Sequence, residues 1–254
     1  MALFAIGDLH LSQGAKPMDI FGAHWSDHEN HLARHWRDRV GPDDTVLLLG
    51  DISWAVKLPQ AAPHLEFIAA LPGQKLMIKG NHDYWWSSRR KVESVLPPSL
   101  ALIEHDSRIV EGIGLVGTRG WLCPGAEGFG ERDQKTYDRE VGRLAQAFEH
   151  LSDFEGPVIA LLHFPPVNEH HEPSGFTAIL EQHGACLCLY GHLHATVGWE
   201  CRLEGERAGV EYRLVSSDWL DFRPWRVERE RLRPRSALRQ ERGGSAALQG
   251  GKHR

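Results

Sequence analysis

Short apolar runs alternate with longer segments of helical periodicity along this chain. Apolar runs of three to five residues, bounded by polar residues or glycine, are typical of buried strands. They occur at residues 3–6, 46–49, 76–78, 158–162 and 186–190. Apolar residues recur at helical spacing in the segments 26–39, 60–71, 89–96, 132–151 and 175–183. This alternation predicts an α/β fold with parallel crossovers and helices on the outside.

Six further strands are predicted outside this alternating pattern. The runs at residues 100–104, 108–110 and 114–117 are close enough in sequence to form an antiparallel meander. The remaining three strands are predicted at residues 200–202, 212–216 and 226–230. These segments add antiparallel pieces to the parallel core.

Residues of the types that bind metals directly follow five of the apolar runs. Each one stands where a buried strand ends and a loop begins, so we expect these residues to form a polar cluster at one edge of a sheet. Mixed carboxylate, amide and imidazole ligands suit Mn²⁺, Fe or Zn²⁺. The seven residues are Asp8, His10, Asp51, Asn81, His163, His192 and His194, and His82 and Asp83 follow Asn81 in the chain.

Each of these residues alone also has an ordinary structural interpretation. A histidine or aspartate at a strand end is more often hydrogen-bonded within the protein than bound to a metal. The complete series favours the metal interpretation, because aspartates gathered at an apolar sheet edge are costly to remove from water unless a cation compensates their charge.

Five motifs stand in a fixed order: Asp8-x-His10, Gly50-Asp51, Gly80-Asn81-His82-Asp83, His163, and Gly191-His192-x-His194. Together they resemble the calcineurin-like metallophosphoesterase superfamily over residues 1 to about 220, with no substitution at a ligand position. The resemblance implies a four-layer α/β/β/α sandwich, with two mixed β-sheets packed face to face and flanked by helices. It also implies a metallophosphoesterase domain, which we assign to residues 1–230 as a single domain.

The resemblance further implies a role for each residue of the motifs. Asp51 corresponds to the carboxylate that bridges two metal ions. His82 corresponds to a histidine that contacts the scissile phosphate, and Asp83 to the acidic residue that orients this histidine. The two ligand sets would be Asp8, His10, Asp51 and His194 for one metal, and Asp51, Asn81, His163 and His192 for the other.

Metal-assisted hydrolysis by direct attack of water is the reaction that such a site would perform. Two divalent ions about 3.5–4 Å apart can hold a hydroxide between them and neutralise the phosphoryl oxygens. The bridging ligand must be a carboxylate, because only a carboxylate offers two anionic oxygens. We expect two divalent transition-metal ions, with Mn²⁺ as the first choice and Fe or Zn²⁺ as alternatives.

Substrate-binding residues are less sharply defined by the sequence. Tyr84 and Trp85 directly follow the Asn-His-Asp motif, so either side chain can stack on a base or instead pack the loop. Arg119 follows an apolar run and can bind a phosphate oxygen or form a surface salt bridge. The segment 11–24 is long enough to form part of a lid.

The aromatic residues favour a small phosphodiester, such as a cyclic nucleotide, as the substrate. A phosphomonoesterase and a nuclease are the alternatives within the same reaction class. A non-catalytic binding scaffold of the same fold is disfavoured, because every ligand position and His82 are retained.

Composition indicates the cellular compartment in which we expect the protein to work. In 254 residues with 41% hydrophobic content, no apolar stretch reaches the length of a membrane span. The first apolar run is short and leads straight into Asp8, so it is interpreted as a core strand and not as a signal peptide. The four cysteines lack metal-site spacing and are interpreted as reduced thiols. We therefore expect a cytoplasmic protein with no membrane partner.

A basic, flexible tail is predicted at residues 231–254. From residue 229 onward, eight Lys or Arg and two Glu give a formal charge of about +6, which leaves residues 1–228 near −11. A basic arm is compatible with nucleic acid, but the acidic body opposes such a partner, so a solvated tail is favoured. The sequence leaves the oligomeric state open.

Overall fold

The computed structural model of the chain describes residues 1–238. The first of two β-sheets has the strand order β11-β1-β2-β3-β4. β1 to β4 run parallel, and β11 is antiparallel to β1. Its strands are β1 (Leu3–Ile6), β2 (Thr45–Leu49), β3 (Gln74–Ile78), β4 (Leu100–Leu102) and β11 (Trp225–Arg226).

The second sheet has the strand order β5-β6-β7-β8-β10-β9. Its four central strands run parallel, and each edge strand is antiparallel to its neighbour. Its strands are β5 (Ser107–Val110), β6 (Ile113–Thr118), β7 (Val158–Leu162), β8 (Leu187–Tyr190), β9 (Gly205–Arg207) and β10 (Val210–Leu214).

Helices cover the outer faces of both sheets. α1 to α3 pack on the first sheet, and α4 and α5 pack on the second. Good capping explains where α5 begins and ends: Ser174 accepts a hydrogen bond from the Thr177 N–H, and Gly184 ends the helix in the left-handed conformation. In the part of the chain before residue 235, the α-helices are α1 (His28–Arg39), α2 (Leu58–Ala69), α3 (Arg89–Glu93), α4 (Glu131–Glu149), α5 (Gly175–His183) and α6 (Ala195–Glu200).

Three separate hydrophobic cores follow from this layering. Along β1, Leu3 and Ala5 pack between the two sheets, whereas Phe4 and Ile6 pack under the helices of the first sheet. Successive strand residues point to opposite faces, so a strand covered on both faces needs an uninterrupted apolar run. The predicted four-layer α/β/β/α sandwich of two mixed sheets is confirmed.

Several predicted strands were wrong. The meander does not form, because β4 pairs with β3 in the first sheet while β5 and β6 form a hairpin in the second. No strand forms at 200–202, where α6 ends at Glu200. Of residues 226–230, only Arg226 lies in a strand, and Arg229–Arg231 form a 3₁₀ helix. Sequence proximity and local alternation do not determine which sheet a short segment joins.

The beginning of the predicted tail packs against the body of the protein. Arg235 is buried, and its guanidinium donates hydrogen bonds to the carbonyl oxygens of Leu151, Phe154 and His183. The rest of the predicted tail, residues 239–254, lies outside the described residues. Among residues 1–238, no helix has both the length and the apolar character needed to span a membrane.

Candidate metal centre

The loops that follow β1, β2, β3, β7 and β8 meet at one end of the sandwich. Hydrogen bonds continue the pairing beyond the strands, from Asp8 N to Gly50 O at 2.9 Å and from Gly191 N to His163 O at 3.0 Å. The expected polar cluster therefore forms, but not at the edge of one sheet. The first sheet delivers Asp8, His10, Asp51 and Asn81, and the second delivers His163, His192 and His194.

The backbone is left-handed at four of these seven positions. The φ angles are +59° at Asp8, +46° at His10, +49° at Asp51 and +73° at His192. Positive φ is uncommon for residues other than glycine and costs on the order of 1 kcal/mol or more at each position. The loops thus hold strained turns that direct these side chains toward a common centre.

Glycines make room for the buried carboxylates. A Cβ atom at Gly80 would lie 2.1 Å from Asp51 Oδ1, and a Cβ at Gly191 would lie 2.3 Å from Asp8 Oδ2. Both separations are far below van der Waals contact. Glycine is therefore required beside each carboxylate, which gives a physical reason for the Gly-Asn-His and Gly-His motifs.

One group of potential ligand atoms contains Asp8, His10 and His194. Their nearest side-chain N and O atoms all lie within 4.8 Å of one another. His194 Nε2 is 3.3 Å from Asp8 Oδ1 and 3.3 Å from His10 Nε2. Three donor atoms of this kind around one point are what a divalent transition metal requires.

A second group lies on the other side of Asp51. His163 Nε2 is 2.6 Å from Asn81 Oδ1 and 3.5 Å from Asp51 Oδ2. The His192 ring centroid is 5.2 Å from that of His163. Because Asp51 Oδ2 is also 3.8 Å from His10 Nε2, the Asp51 carboxylate lies between the two groups.

Burial and mutual charge shift the pKa values of these residues in opposite directions. Burial and the neighbouring Asp8 charge raise the pKa of Asp51 to about 8. Burial acts to lower the pKa of His194, but the charges of Asp8 and Asp218 raise it to about 10. Burial and His163 lower the pKa of His192 to about 3, so its imidazole is neutral. The metal-free centre thus combines buried carboxylates with one imidazole whose neutral form is favoured, at His192, and one whose protonated form is favoured, at His194.

Two histidines are fixed by hydrogen bonds on the side away from the centre. His163 Nδ1 lies 2.9 Å from Leu49 O, and His194 Nδ1 lies 2.9 Å from Asp218 Oδ1. If Nδ1–H donates in each case, Nε2 is left free to bind a metal. Sequence analysis missed Asp218, although it follows β10 just as the recognised residues follow their strands.

Asp83 joins the loops after β2 and β3. Its carboxylate accepts hydrogen bonds from the backbone N–H groups of Ile52, Ser53 and Gly80, and from Trp85 Nε1. Within residues 1–238 it forms no hydrogen bond with the His82 ring. Any orienting effect of Asp83 on His82 therefore acts through the loop that carries both residues.

His82 reaches the centre from the loop after β3. Its Nε2 lies 4.0 Å from Asp51 Oδ2, and about a third of the side chain is exposed. Burial, His163 and Lys16 lower the pKa of His82. Its ring packs against Trp54, with 4.5 Å between the centroids. His82 is thus positioned to meet a group that enters from solvent.

Trp54 links His82, His10 and the segment 11–24, and sequence analysis missed it. Its ring stacks on His10 at 4.8 Å, with an angle of 21° between the planes. Lys16 Nζ lies 3.0 Å from the Trp54 ring centroid, in cation–π geometry. The sequence shows only that Trp54 stands three residues after Asp51, and this spacing alone does not indicate a function.

A cavity of about 510 Å³ opens beside His10, His82 and His194. Aromatic and apolar side chains form most of its remaining wall: Met18, Phe21, Trp25, Trp54 and Tyr84, together with Lys16. The segment 11–24, which was expected to form part of a lid, supplies Lys16, Met18 and Phe21. The cavity thus places an apolar, aromatic surface with one cation next to the candidate metal centre.

The three tentative substrate-binding residues have different positions. Tyr84 is 63% exposed and lines this cavity. Trp85 is instead buried, its indole N–H donates a hydrogen bond to Asp83, and it does not line this cavity, which favours its alternative role of packing the loop. Arg119 is also absent from this cavity: its guanidinium stacks on Trp121 at 4.4 Å and faces Glu140. An aromatic residue next to a ligand motif can point into the core as readily as into the site.

The two-sheet fold with its clustered metal-type donor groups is the arrangement that the sequence motifs predicted. Residues 1–196 match the family described as calcineurin-like phosphoesterase. The chain belongs to this family, and the resemblance noted from its motifs is confirmed. Members of the family use divalent metals, and the group of Asp8, His10 and His194 and the group of Asp8, Asp51 and His163 are candidate sites for them.

Curated relatives match only part of the chain. The Gene 66 protein of Mycobacterium phage D29 is 40% identical over 78 residues, which cover 30% of this chain and 37% of that protein. The Gene 66 protein of Mycobacterium phage L5 is 37% identical over 81 residues, which cover 32% of this chain and 39% of that protein. The matched segments thus span well under half the length of these relatives.

Among solved structures, the phosphopantetheinyl hydrolase PptH from Mycobacterium tuberculosis is similar over 89% of this chain and 95% of its own. The TM-score is 0.54 and the sequence identity is 17%. At this identity the likeness concerns the fold alone, and it agrees with the two-sheet sandwich described above.

Proposed function

We propose that this chain hydrolyses a small phosphodiester, such as a cyclic nucleotide, at a centre that holds two divalent transition metals. The observation that carries the proposal is the position of Asp51 between two donor groups, with His82 4.0 Å from the same carboxylate. The proposed ligands are Asp8, His10, Asp51 and His194 on one side, and Asp51, Asn81, His163 and His192 on the other.

The donor set fits such metals. Asp8, Asp51 and Asp83 are all buried at the centre, and burial together with Asp8 raises the pKa of Asp51 to about 8. This shift means that a second negative charge is unfavourable there without a compensating cation. Carboxylate, amide and imidazole donors suit Mn²⁺ first, with Fe and Zn²⁺ as alternatives.

The bound metals would activate water and neutralise the phosphoryl oxygens. The protein's own residues have separate tasks in this proposal. Asp218 and Leu49 O fix the rings of His194 and His163. His82 donates a hydrogen bond to the phosphoryl group or a proton to the leaving oxygen.

The lining of the cavity beside the candidate metal centre favours a substrate that carries an organic group. Tyr84 and Trp54 offer flat apolar surfaces for a base or another ring. Lys16 adds a cation that attracts an anionic phosphodiester. A phosphomonoesterase remains the second candidate, because the same centre would bind a monoester. A nuclease is third, since residues 1–228 carry a net negative charge near −11.

The test compares two chromogenic esters. Protein reconstituted with Mn²⁺ is assayed on bis-p-nitrophenyl phosphate and on p-nitrophenyl phosphate, followed by a panel of cyclic and linear nucleotides. We expect a higher kcat/KM for the diester and a cyclic nucleotide among the best natural substrates. Asp51→Asn serves as the inactive control.

Each result has a defined meaning. A higher kcat/KM for the monoester would make the diester assignment wrong while leaving the phosphoesterase intact. Absence of hydrolysis on every substrate, in protein that binds its metals, would instead favour the scaffold alternative.

We further propose a cytoplasmic location. The four cysteines Cys123, Cys186, Cys188 and Cys201 are free thiols, and the first three are buried. Free thiols persist most readily in a reducing compartment. Fractionation of the native cells, with an antibody against the chain, tests this location.

A further inference from the structure

A second cavity, lined mostly by polar side chains, lies beside the carboxyl ends of β3, β4 and β6, under α4. Its volume is about 230 Å³, and it shares no lining residue with the cavity at the metal centre. We call it the arginine cavity, and its charged lining residues are Lys79, Glu104, Arg119, Arg139, Glu140 and Arg143. Four cations therefore face two carboxylates, which leaves a positive excess.

Glu140 accepts a direct hydrogen bond from only one of the three arginines around it. It is fully buried and accepts hydrogen bonds from Thr118 Oγ1 at 2.5 Å and from Arg143 Nη1 at 2.7 Å. Arg119 Nη2 and Arg139 Nε both stop 3.7 Å from the same carboxylate, which is too far for a hydrogen bond. Arg119 and Arg139 thus lie beside the Glu140 carboxylate as ion pairs without a direct hydrogen bond to it.

A buried donor in this cavity also lacks a partner. Arg119 Nε is shielded from solvent and has no hydrogen-bond partner among the described residues. Buried donors are normally satisfied, since leaving one unpaired costs about 1–3 kcal/mol. Only an acceptor can satisfy this donor, and an anion suits a position beside two guanidinium groups.

The pKa values of the bases around the cavity are consistent with a positive potential. Burial lowers the pKa of Arg119, and the charges of Arg139 and Arg143 lower it further, against the opposing effect of Glu140. Burial and Arg143 lower the pKa of His105 to about 4. Burial is the larger cause of both shifts and the neighbouring arginine charges add to it, so a further positive charge is unfavourable here.

We propose that the arginine cavity binds a phosphate-type oxyanion through the guanidinium groups of Arg119, Arg139 and Arg143. A liquid water molecule occupies about 30 Å³, so a cavity of about 230 Å³ has room for a tetrahedral oxyanion with some of its water. Guanidinium forks match the spacing of phosphate oxygens. The ligand is either free phosphate or a phosphate group on a larger molecule.

The cavity is structurally connected to the metal centre. Arg119 O accepts hydrogen bonds from His163 N and Phe164 N, each at 3.0 Å. Lys79 precedes Asn81 by two residues on the same loop. The cavity thus adjoins the loop that carries Asn81 and, through the Arg119 carbonyl, the backbone at His163.

Titration calorimetry with inorganic phosphate tests the proposal on the metal-reconstituted protein. Arg139→Gln removes a half-exposed cation, and we expect phosphate binding to the cavity to weaken about tenfold or more. Glu140→Gln removes the opposing negative charge and should strengthen binding. Arg37→Gln, on the exposed face of α1, is the matched control and should bind phosphate like wild type.

Opposite effects of Arg139→Gln and Glu140→Gln are not expected from a purely structural role. The variants keep the metal centre, so phosphate bound there contributes equally to all of them. Identical binding in wild type, Arg139→Gln and Glu140→Gln, all folded by circular dichroism, would mean that phosphate binds only at the metal centre. That result would overturn the proposal.

Kinetics separate the two sources of the oxyanion. If the ligand is a phosphate group of the substrate, Arg139→Gln raises KM for a diester that carries an additional terminal phosphate, but not for bis-p-nitrophenyl phosphate. If the ligand is free phosphate, KM changes for neither ester. An equal rise for both esters, with normal phosphate binding, would overturn the proposal. The calorimetry does not require hydrolysis, so its result stands even if the proposed function fails.

Discussion

A single carboxylate, Asp51, meets several physical demands at once. One of its oxygens accepts a hydrogen bond from the His82 backbone N–H at 2.8 Å, and the other lies between His10 and His163. Its backbone is left-handed, and Gly80 must lack a side chain to admit it. Asparagine would keep the shape of this side chain but lose the charge that two cations require.

His82 is the residue that we expect to act in catalysis without binding a metal. In His82→Ala we expect the metal content and melting temperature to stay close to wild type, because the ring is partly exposed and belongs to neither donor group. The kcat should fall about 10²–10⁴-fold, since a donor to the phosphoryl group or the leaving oxygen is lost. Elemental analysis and steady-state rates check both parts.

A comparison of esters with good and poor leaving groups shows which of the two roles His82 has. A smaller loss with p-nitrophenolate than with a poor leaving group indicates that His82 donates a proton, whereas an equal loss indicates stabilisation of the phosphoryl oxygens. Loss of the metals in His82→Ala would contradict the proposed division of roles.

Asp218 is expected to control how tightly His194 holds a metal. Asp218→Asn replaces the carboxylate that meets His194 Nδ1 at 2.9 Å. Loss of such a partner typically reduces metal affinity or activity by about 10–100-fold. The Mn²⁺ concentration for half-maximal activity should therefore rise, as a metal titration would measure.

Asp221→Asn is the matched control for Asp218. Asp221 lies three residues after Asp218, is exposed and pairs with Arg223. Its replacement should leave the Mn²⁺ requirement unchanged, and an equal effect of the two variants would argue against the role of Asp218.

At the scale of elements, the strand ends and their loops assemble the site. The loops that follow neighbouring strands hydrogen-bond to one another, as between Asp8 N and Gly50 O and between Gly191 N and His163 O. Asp83 adds a further link between the loops after β2 and β3. The positions of the proposed ligands therefore depend on close backbone contacts as much as on the ligands themselves.

Gly80→Ala tests this dependence on close contacts. A methyl group at this position would lie 2.1 Å from Asp51 Oδ1, so either the loop or the carboxylate must move. We expect loss of metal and nearly complete loss of activity, with stability lowered by about 1–3 kcal/mol as for other overpacked sites. Metal analysis and thermal unfolding measure both effects.

Gly142→Ala provides the comparison. Gly142 lies in α4 with no atom near its potential Cβ, so alanine should stabilise the helix by about 0.5–1 kcal/mol and leave activity unchanged. Normal metal content in Gly80→Ala would show that the loop has more freedom than this geometry allows.

At the scale of the whole molecule, face-to-face packing of the two sheets brings opposite charges together in a dry centre. The pKa of Asp51 is raised to about 8 by burial and by Asp8. Burial opposes protonation of His194, yet Asp8 and Asp218 raise its pKa to about 10. At pH 7 the metal-free protein thus carries protons on two proposed ligands.

Metal binding must displace these protons, because the ligands bind as a carboxylate and a neutral imidazole. We expect two metal ions per chain and release of about two protons at pH 7. Metal affinity should rise from pH 6 to pH 8, since both raised pKa values favour the protonated, metal-free form at the lower pH. Calorimetric titration in two buffers of different ionisation enthalpy measures the number of protons.

A binding enthalpy that is the same in both buffers would contradict this prediction. Elemental analysis showing no more than traces of Mn, Fe or Zn after reconstitution would contradict the expected metal content itself.

The local pattern predicted the buried strands well, because a strand covered on both faces must be apolar throughout, as in Leu3–Ile6 and Val158–Leu162. It failed for short segments such as 200–202, where no long apolar run distinguishes a strand from a helix end. The Asp and His motifs were also visible, since their residue types and order are properties of the chain.

The sequence by itself determined the α/β class, and its motifs predicted the seven proposed metal ligands with His82 beside them. Tertiary structure alone decided that the ligands come from two sheets, that Trp85 is buried while Tyr84 is exposed, and that Asp218 supports His194. The physical reason is the range of the interactions. Strand periodicity and motif spacing act along the chain, whereas side-chain direction and pairing depend on residues that only folding brings into contact.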